Sequence, residues 1–340
     1  MKLSIAIVGL PNVGKSTLFK VLTKQNINIA NYPFATIDPN IGVVAVPDER
    51  LEKLTEISKS KKKIPAVVEF YDIAGLVKGA NKGEGLGNQF LSHIRETQAI
   101  VMVLRTFEGG DIIHVENSVD PIRDMEIINT ELALKDLETV EKRLASIDAD
   151  IRGGKKGAAE EKELLFQIKI LLEKGAPITS SPEIHSNVLK NIGIVSLNLL
   201  TAKKQIYLLN GDEKDVRPEL VEKIKNLQGN YIVINLASPE AGVVNSLIKK
   251  AYEVLGLVSF FTTGEDETRA WTIKRGAKAP EAAGTIHTDF EKNFIRAEVV
   301  SYGKFLEANG WNQAKQKGWI CLEGKEYVVQ DGDIVVIRHG

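Results

Sequence analysis

The chain has 340 residues, of which 43% are hydrophobic and 26% charged, with a formal net charge of −1 at pH 7. That length supplies two or three ordinary packed cores, and the near-neutral balance gives no bulk electrostatic sign of a nucleic-acid binder while leaving room for a local basic face. One cysteine, Cys321, excludes an intramolecular disulfide framework and a four-cysteine zinc site.

The lone cysteine fits a reducing cytosol, and its expected role is that of a small buried apolar side chain. The opening run MKLSIAIVGLPN is too short for a secretory signal and has no small-residue cleavage site, and no stretch of about 18 apolar residues occurs. A cytoplasmic protein, neither exported nor membrane-spanning, is expected.

In chain order, five short apolar runs stand out: LSIAIVG (3–9), AVVEFYDIAG (66–75), AIVMVLR (99–105), QIYLLN (205–210) and YIVINLA (231–237). Near-continuous hydrophobicity over strand length is the pattern of parallel strands covered on both faces. Helical patterns such as KSTLFKVLTK and DVRPELVEKIKNL follow them, so the expected fold is a doubly wound α/β domain. Between the third and fourth runs, Leu137, Val140, Leu144, Ile147 and Ile151 step by three and four. After RGGKKG (152–157), Leu165, Ile168 and Leu172 continue at helical spacing, which predicts an antiparallel helical hairpin with a glycine tip and an apolar seam. From residue 255 onward, short β-type runs WTIK, IRAEVV, YVVQ and DIVVIR surround one helical stretch near 304–315, predicting a small α+β domain. The expected organisation is 1–124 with 191–254 as the α/β domain, 125–190 as an inserted hairpin and 255–340 as the last domain.

GLPNVGKS (9–16) fits G-x-x-x-x-G-K-[ST] directly between a strand and a helix. Backbone amides of Asn12, Val13, Gly14, Lys15, Ser16 and Thr17 can cradle phosphates, the Lys15 ammonium can neutralise β and γ oxygens, and the Ser16 hydroxyl can bind Mg²⁺. Asp72 closes a strand in DIAG, where an acid holds Mg²⁺ through water, and Gly75 follows with an amide for the γ-phosphate. Thr36, in NYPFATIDP, is placed to complete the Mg²⁺ shell, and Gly79, Gly83, Gly85 and Gly87 mark a switch segment. Where a water-orienting glutamine would follow Gly75, the residue is Leu76, which neither donates nor accepts. Hydrolysis is therefore expected to be slow or to use another group, and His114 in GGDIIHVEN is the candidate. His93 is expected on a switch helix with a packing role.

A guanine site reads N-K-x-D. Here QIYLLN ends in Asn210, Gly211 replaces the lysine and Glu213 replaces the aspartate. The guanine reader is broken, and an asparagine amide able to bond the N6 and N7 edge of a purine suits adenine.

These residues resemble the Obg-like ATPases, also called the YchF family. The resemblance runs through GLPNVGKSTLF, NYPFATIDP, DIAGLVKGA with GEGLGNQFL, GDIIHV, INTEL, Asn210 to Glu213, and RAWTIKRGAKAPEAAGTIHTDFEKNFIRAEV. It implies a P-loop NTPase G domain of the Obg type, an inserted helical hairpin and a C-terminal TGS domain of β-grasp type. It also implies preference for ATP, slow Mg²⁺-dependent hydrolysis with a hydrophobic residue in the glutamine's place, and association with the ribosome, ribosomal RNA being a candidate contact of a monomeric protein. By motif, Asn12 to Thr17 carry phosphates, Ser16 and Thr36 bind Mg²⁺, Asn210, Gly211 and Glu213 meet the base, and His114 is similar to the histidine implicated in hydrolysis. Two departures stand out: the last base-site motif reads INLASPEAG, leaving Asn235, Leu236 and Ala237 all open as base contacts, and the hairpin is short for the family. Three readings remain open beside the ATPase switch: a nucleotide-regulated ribosome- or RNA-binding module with incidental turnover, a GTPase whose NGDE motif tolerates guanine, and a P-loop kinase.

Overall fold

The computed structural model describes residues 4–23, 40–73, 86–108, 118–239 and 242–340, and for 86–90 and 243 the backbone alone. Thr36, Gly75, Leu76, Gly79, Gly83, Gly85 and His114 lie outside the described residues. In chain order come β1 (Ser4–Val8), α1 (Lys15–Thr23), β2 (Ile41–Ala45), α2 (Glu49–Ser58), β3 (Lys62–Ile64), β4 (Val67–Asp72), α3 (Leu86–Glu96) and β5 (Ala99–Arg105). Next are α4 (Pro121–Arg152), α5 (Ala158–Glu173), α6 (Pro182–Lys190), α7 (Ile192–Val195), β6 (Lys204–Asn210), α8 (Pro218–Asn226), β7 (Asn230–Ile234) and α9 (Val243–Leu255). The remainder is β8 (Leu257–Thr263), β9 (Glu267–Lys274), α10 (Ala279–Ile286), α11 (Thr288–Lys292), β10 (Phe294–Ser301), α12 (Tyr302–Ala308), α13 (Trp311–Gln316), β11 (Cys321–Glu323) and β12 (Asp333–His339).

The first sheet has the order β2-β4-β1-β5-β6-β7, and all strands but β2 run parallel. Its parallel strands are the five apolar runs; every residue of β1 and β5 is buried, as two covered faces require. β2 adds an antiparallel edge that the apolar runs do not announce, because its burial alternates along a strand covered on one side. The parallel strands end at one edge of the sheet. The turn after β1, Asp72 on β4 and Asn210 on β6 therefore converge there, the usual place for a ligand in an open α/β sheet.

α4 and α5 form the hairpin. Asp120 caps α4 by accepting from the amides of Ile122 and Arg123, with Pro121 in the first turn where its missing N–H costs nothing. Val140, Ile147, Leu165, Ile168 and Leu172 are buried in the seam, and Leu137 and Leu144 pack against it. Ile151, expected in the seam, is 36% exposed beside the glycine tip, where the second arm has not yet begun. At the root, the fully buried Asp136 carboxylate accepts from the amides of Leu200 (2.8 Å) and Thr201 (2.7 Å) and from the Thr201 hydroxyl (2.7 Å), tying α4 to the approach to β6.

The second sheet has the order β11-β10-β12-β8-β9-β3. One face packs on α10 and α11 through Phe260, Ala282, Ala283 and Val299; the other joins the core of the first sheet through Phe261, Ala270, Val300 and Ile334. Several expectations need correction here. YVVQ is no strand: Val328 makes a single bridge to Lys278, and Val329 is pinned by its bond to the Ala277 carbonyl. The stretch 304–315 is two helices, broken where Asn309 and Gly310 take φ of 52° and 119°. Cys321 is exposed, because it lies on a three-residue edge strand that ends the sheet order among the described residues.

β3 crosses between the two units. Although it precedes β4 of the first sheet, it pairs in parallel with β9 of the second, Lys62 opposite Glu267 and Ile64 opposite Arg269. Exposed lysines on an edge strand discourage further strand addition. Arg50 on α2 makes a second link, bonding Asp331 at 2.9 Å and Asp48 at 2.7 Å. No helix among the described residues is long and apolar enough to cross a membrane.

Candidate nucleotide-binding site

The turn from β1 into α1 is shaped by Asn12 and Gly14, with φ of 64° and 110°. Gly14 is required twice over: its φ lies in the left-handed region, and a Cβ there would meet the Asn210 side-chain nitrogen at 2.6 Å. The Gly14 carbonyl accepts from the Leu18 amide at 2.9 Å and starts the helix. Val13 is buried beneath the loop, whereas Asn12, Ser16 and Thr17 face outward.

Lys15 is only 7% exposed, and its ammonium donates to the Leu10 carbonyl at 2.7 Å, so the cation lies inside the loop its own backbone forms. Burial pulls its pKa down to about 8, against the opposing attraction of the Asp72 carboxylate. Burial pushes Asp72 the other way, above the usual carboxylate range, and the Lys15 charge and a bond from the Ser16 hydroxyl partly counter it. Lys15, Ser16 and Asp72 are thus brought together from β4 and the first turn of α1. The hydroxyl and carboxylate oxygens of Ser16 and Asp72 are hard donors of the kind Mg²⁺ takes, with positions left for water and phosphate oxygens.

At the other end, the Asn210 amide donates to the Val13 carbonyl (2.9 Å) and accepts from the Leu236 amide (3.1 Å), and the residue is 5% exposed. These two bonds make Asn210 a staple between loops, and they use one of its two amide N–H groups and one of the two lone pairs of its oxygen, so the base contact expected from sequence is compatible with the geometry. Glu213 is exposed at the start of a 3-10 turn (Glu213–Asp215). Among the three residues left open, Leu236 is buried against the phosphate loop and Ala237 is exposed. Asn235 bridges the two loops, donating to Asp212 (2.8 Å) and accepting from the Ala237 amide (3.1 Å). His93 is exposed on α3 and does not serve packing.

Sequence reasoning missed Thr106. Its amide and hydroxyl both donate to the Asn210 carbonyl, at 3.0 and 3.1 Å. A threonine just past a strand carries no motif, and its partner is 104 positions away.

Known proteins resemble the chain along its whole length. A Bacillus subtilis protein named ribosome-binding ATPase YchF is 46% identical over 99% of both chains. The chain belongs to the YchF family of Obg-like ATPases. A Bos taurus member, Obg-like ATPase 1, is 42% identical over 99% of this chain and 92% of its own. A solved Schizosaccharomyces pombe structure titled as a YchF GTPase aligns with a TM-score of 0.81 at 39% identity, covering 99% of this chain and 98% of that one. Residues 4–142 match a family described as 50S ribosome-binding GTPases, and 257–340 match the YchF GTPase C-terminal family, described as a protein of unknown function. The names of these YchF relatives include both ATPase and GTPase, so the base is the point at which the residues around Asn210 matter.

Proposed function

We propose that this chain is a Mg²⁺-dependent ATP hydrolase that acts as a nucleotide switch on the ribosome, as a cytoplasmic monomer. The observation that carries the reading is the convergence of Lys15, Ser16 and Asp72 at the carboxyl edge of the sheet, with Lys15 and Asp72 each perturbed by burial beside the other. The names of the relatives support ATP and the ribosome.

In this reading the amides of Asn12 to Thr17 hold the phosphates and the Lys15 ammonium lies against the β and γ oxygens. Ser16 would hold Mg²⁺ directly, Asp72 through water and Thr36 as a further ligand; the ion would supply charge neutralisation on the phosphate oxygens. Gly75 gives its amide to the γ-phosphate. His114 orients the attacking water, because Leu76 offers no polar group. Asn210, Gly211 and Glu213 border the base, Asn210 by holding both loops in place. Loss of the γ-phosphate releases the segments around Thr36 and the glycine run. The G domain occupies 1–124 and 191–254, the hairpin 125–190 and the TGS domain 255–340.

Single-turnover hydrolysis of ATP with and without ribosomes tests the proposal. A switch enzyme is expected to be accelerated by ribosomes and to lose turnover in His114→Ala while still binding ATP. Ribosome binding with no change in rate would instead identify a nucleotide-regulated binding module whose turnover is incidental.

A further inference from the structure

Gly211 stands where a guanine-reading site carries the lysine whose stem lies over the base. Its backbone does not require glycine: it is absent from the residues with positive φ, so an L side chain meets no conformational obstacle. The obstacle is steric and specific. A Cβ at 211 would fall within 3 Å of the Thr106 hydroxyl, with Asp215 Oδ2 at 3.3 Å and the Phe107 amide nitrogen at 3.5 Å forming the rest of the wall.

That hydroxyl is not a loose side-chain end able to swing away. Thr106 is 8% exposed, and its amide and hydroxyl are both bonded to the Asn210 carbonyl. The next residue is fixed as well: the buried Arg105 donates to the Phe107 carbonyl at 3.3 Å, and its guanidinium carbon lies 4.4 Å from the centre of the Phe107 ring. The opposite wall is equally committed, since Asp215 Oδ2 accepts the Asp212 amide at 3.0 Å. Of the other two χ1 wells of Thr106, one puts its methyl group in the hydroxyl's place and relieves nothing, and the other clears the slot only by giving up the hydroxyl's bond to the Asn210 carbonyl.

From this we infer that Thr106 is a specificity-determining residue of the base site. It fills the slot that a side chain at 211 would need, so a lysine over the base would displace the Thr106 hydroxyl from the Asn210 carbonyl, and the loss of the guanine signature is set from the residue after β5 as well as from Asn210 to Glu213. The inference rests on the ATP-binding reading above. It predicts that the guanine signature cannot be rebuilt at positions 211 and 213 alone. Thr106→Ala opens the slot while its amide still holds the Asn210 carbonyl.

The test is a competition titration of ATP and GTP against a fluorescent nucleotide, on the full chain, for the wild type, Gly211→Lys/Glu213→Asp, and the same pair with Thr106→Ala. The double variant is expected to bind both nucleotides at least about tenfold more weakly than the wild type and to gain no preference for GTP. The triple variant is expected to recover binding and to raise the GTP-to-ATP affinity ratio at least about tenfold over the wild type. Should the double variant shift toward GTP as far as the triple one, or the triple one show no shift, Thr106 does not set the specificity. If the lysine variants fail to fold by circular dichroism, Gly211→Ala with and without Thr106→Ala asks the same question with one carbon: weakened ATP binding that Thr106→Ala rescues supports the inference, and wild-type binding by Gly211→Ala overturns it. A wild type that binds no ATP overturns the functional reading itself, an outcome distinct from failure of the variants.

Discussion

The side-chain amide of Asn210 holds Val13 of the phosphate loop and Leu236 of the last base-site loop at once, giving a hydrogen bond to one and taking one from the other. The loop after β1 and the loop after β7 are therefore tied together by a single buried residue. Asn210→Ala leaves a carbonyl and an amide unsatisfied in a region shielded from water, and is expected to cost about 2 kcal/mol of stability in urea unfolding. Asn210→Asp keeps the acceptor for Leu236 but sets a carboxylate against the Val13 carbonyl, and is expected to be no better. A variant as stable as the wild type would mean that the two bonds are not made in solution.

Lys15 makes two predictions. Lys15→Ala removes the cation of the phosphate loop, and ATP affinity or turnover is expected to fall at least about tenfold, or roughly 1.4 kcal/mol. The second concerns pH. Burial puts the Lys15 pKa at about 8, below the free value of 10.5. Between these values the unfolded chain holds the extra proton, so this group's contribution to the stability of the nucleotide-free protein rises with pH across the window and is lost as pH falls through about 8. Phosphate beside the ammonium raises its pKa again, so nucleotide binding takes up a proton. Calorimetry at pH 9 in buffers of different ionisation enthalpy is expected to detect an uptake approaching one proton, absent in Lys15→Ala.

Asp136 anchors the hairpin. Asp136→Ala strands two buried backbone amides and the Thr201 hydroxyl. The expected loss is about 3 kcal/mol, read as a lowered urea midpoint, with hydrogen exchange rising first around 197–203.

Arg50 and Asp331 lie 281 positions apart and join α2 to the loop before β12. With Asp331 half-exposed, the pair is expected to be worth about 1 kcal/mol, measured as the coupling in an Arg50/Asp331 double-mutant cycle. Zero coupling would leave β3 and the shared apolar face as what holds the second sheet to the first.

Much of this molecule is legible in its sequence because the signals are local. Gly9 to Ser16 names its own turn, and the five apolar runs are short and doubly covered, so period and flanking residues suffice. The hairpin seam reads from spacing alone until Ile151, where packing depends on how far the second arm reaches. What stays hidden depends on distant partners. Lys62 to Ile64 is a three-residue run with two exposed lysines that becomes a strand only because β9 offers an edge more than 200 residues later. YVVQ has strand composition, but its tyrosine hydroxyl and the Gln330 amide both turn to Asp333, which closes a loop there. At the site, the turn between β1 and α1 is readable from a motif, whereas the bonds of Asn210 to Val13 and Leu236 and of Thr106 to Asn210 follow from contacts across the sheet edge.

The central claim, that this site is built for ATP, is tested most directly by equilibrium competition of ATP and GTP for the purified wild-type chain in Mg²⁺. The account predicts that ATP binds at least about tenfold more tightly, about 1.4 kcal/mol, because the site lacks the lysine and aspartate of a guanine reader and Thr106 fills the lysine's place. Equal affinity, or preference for GTP, would contradict it.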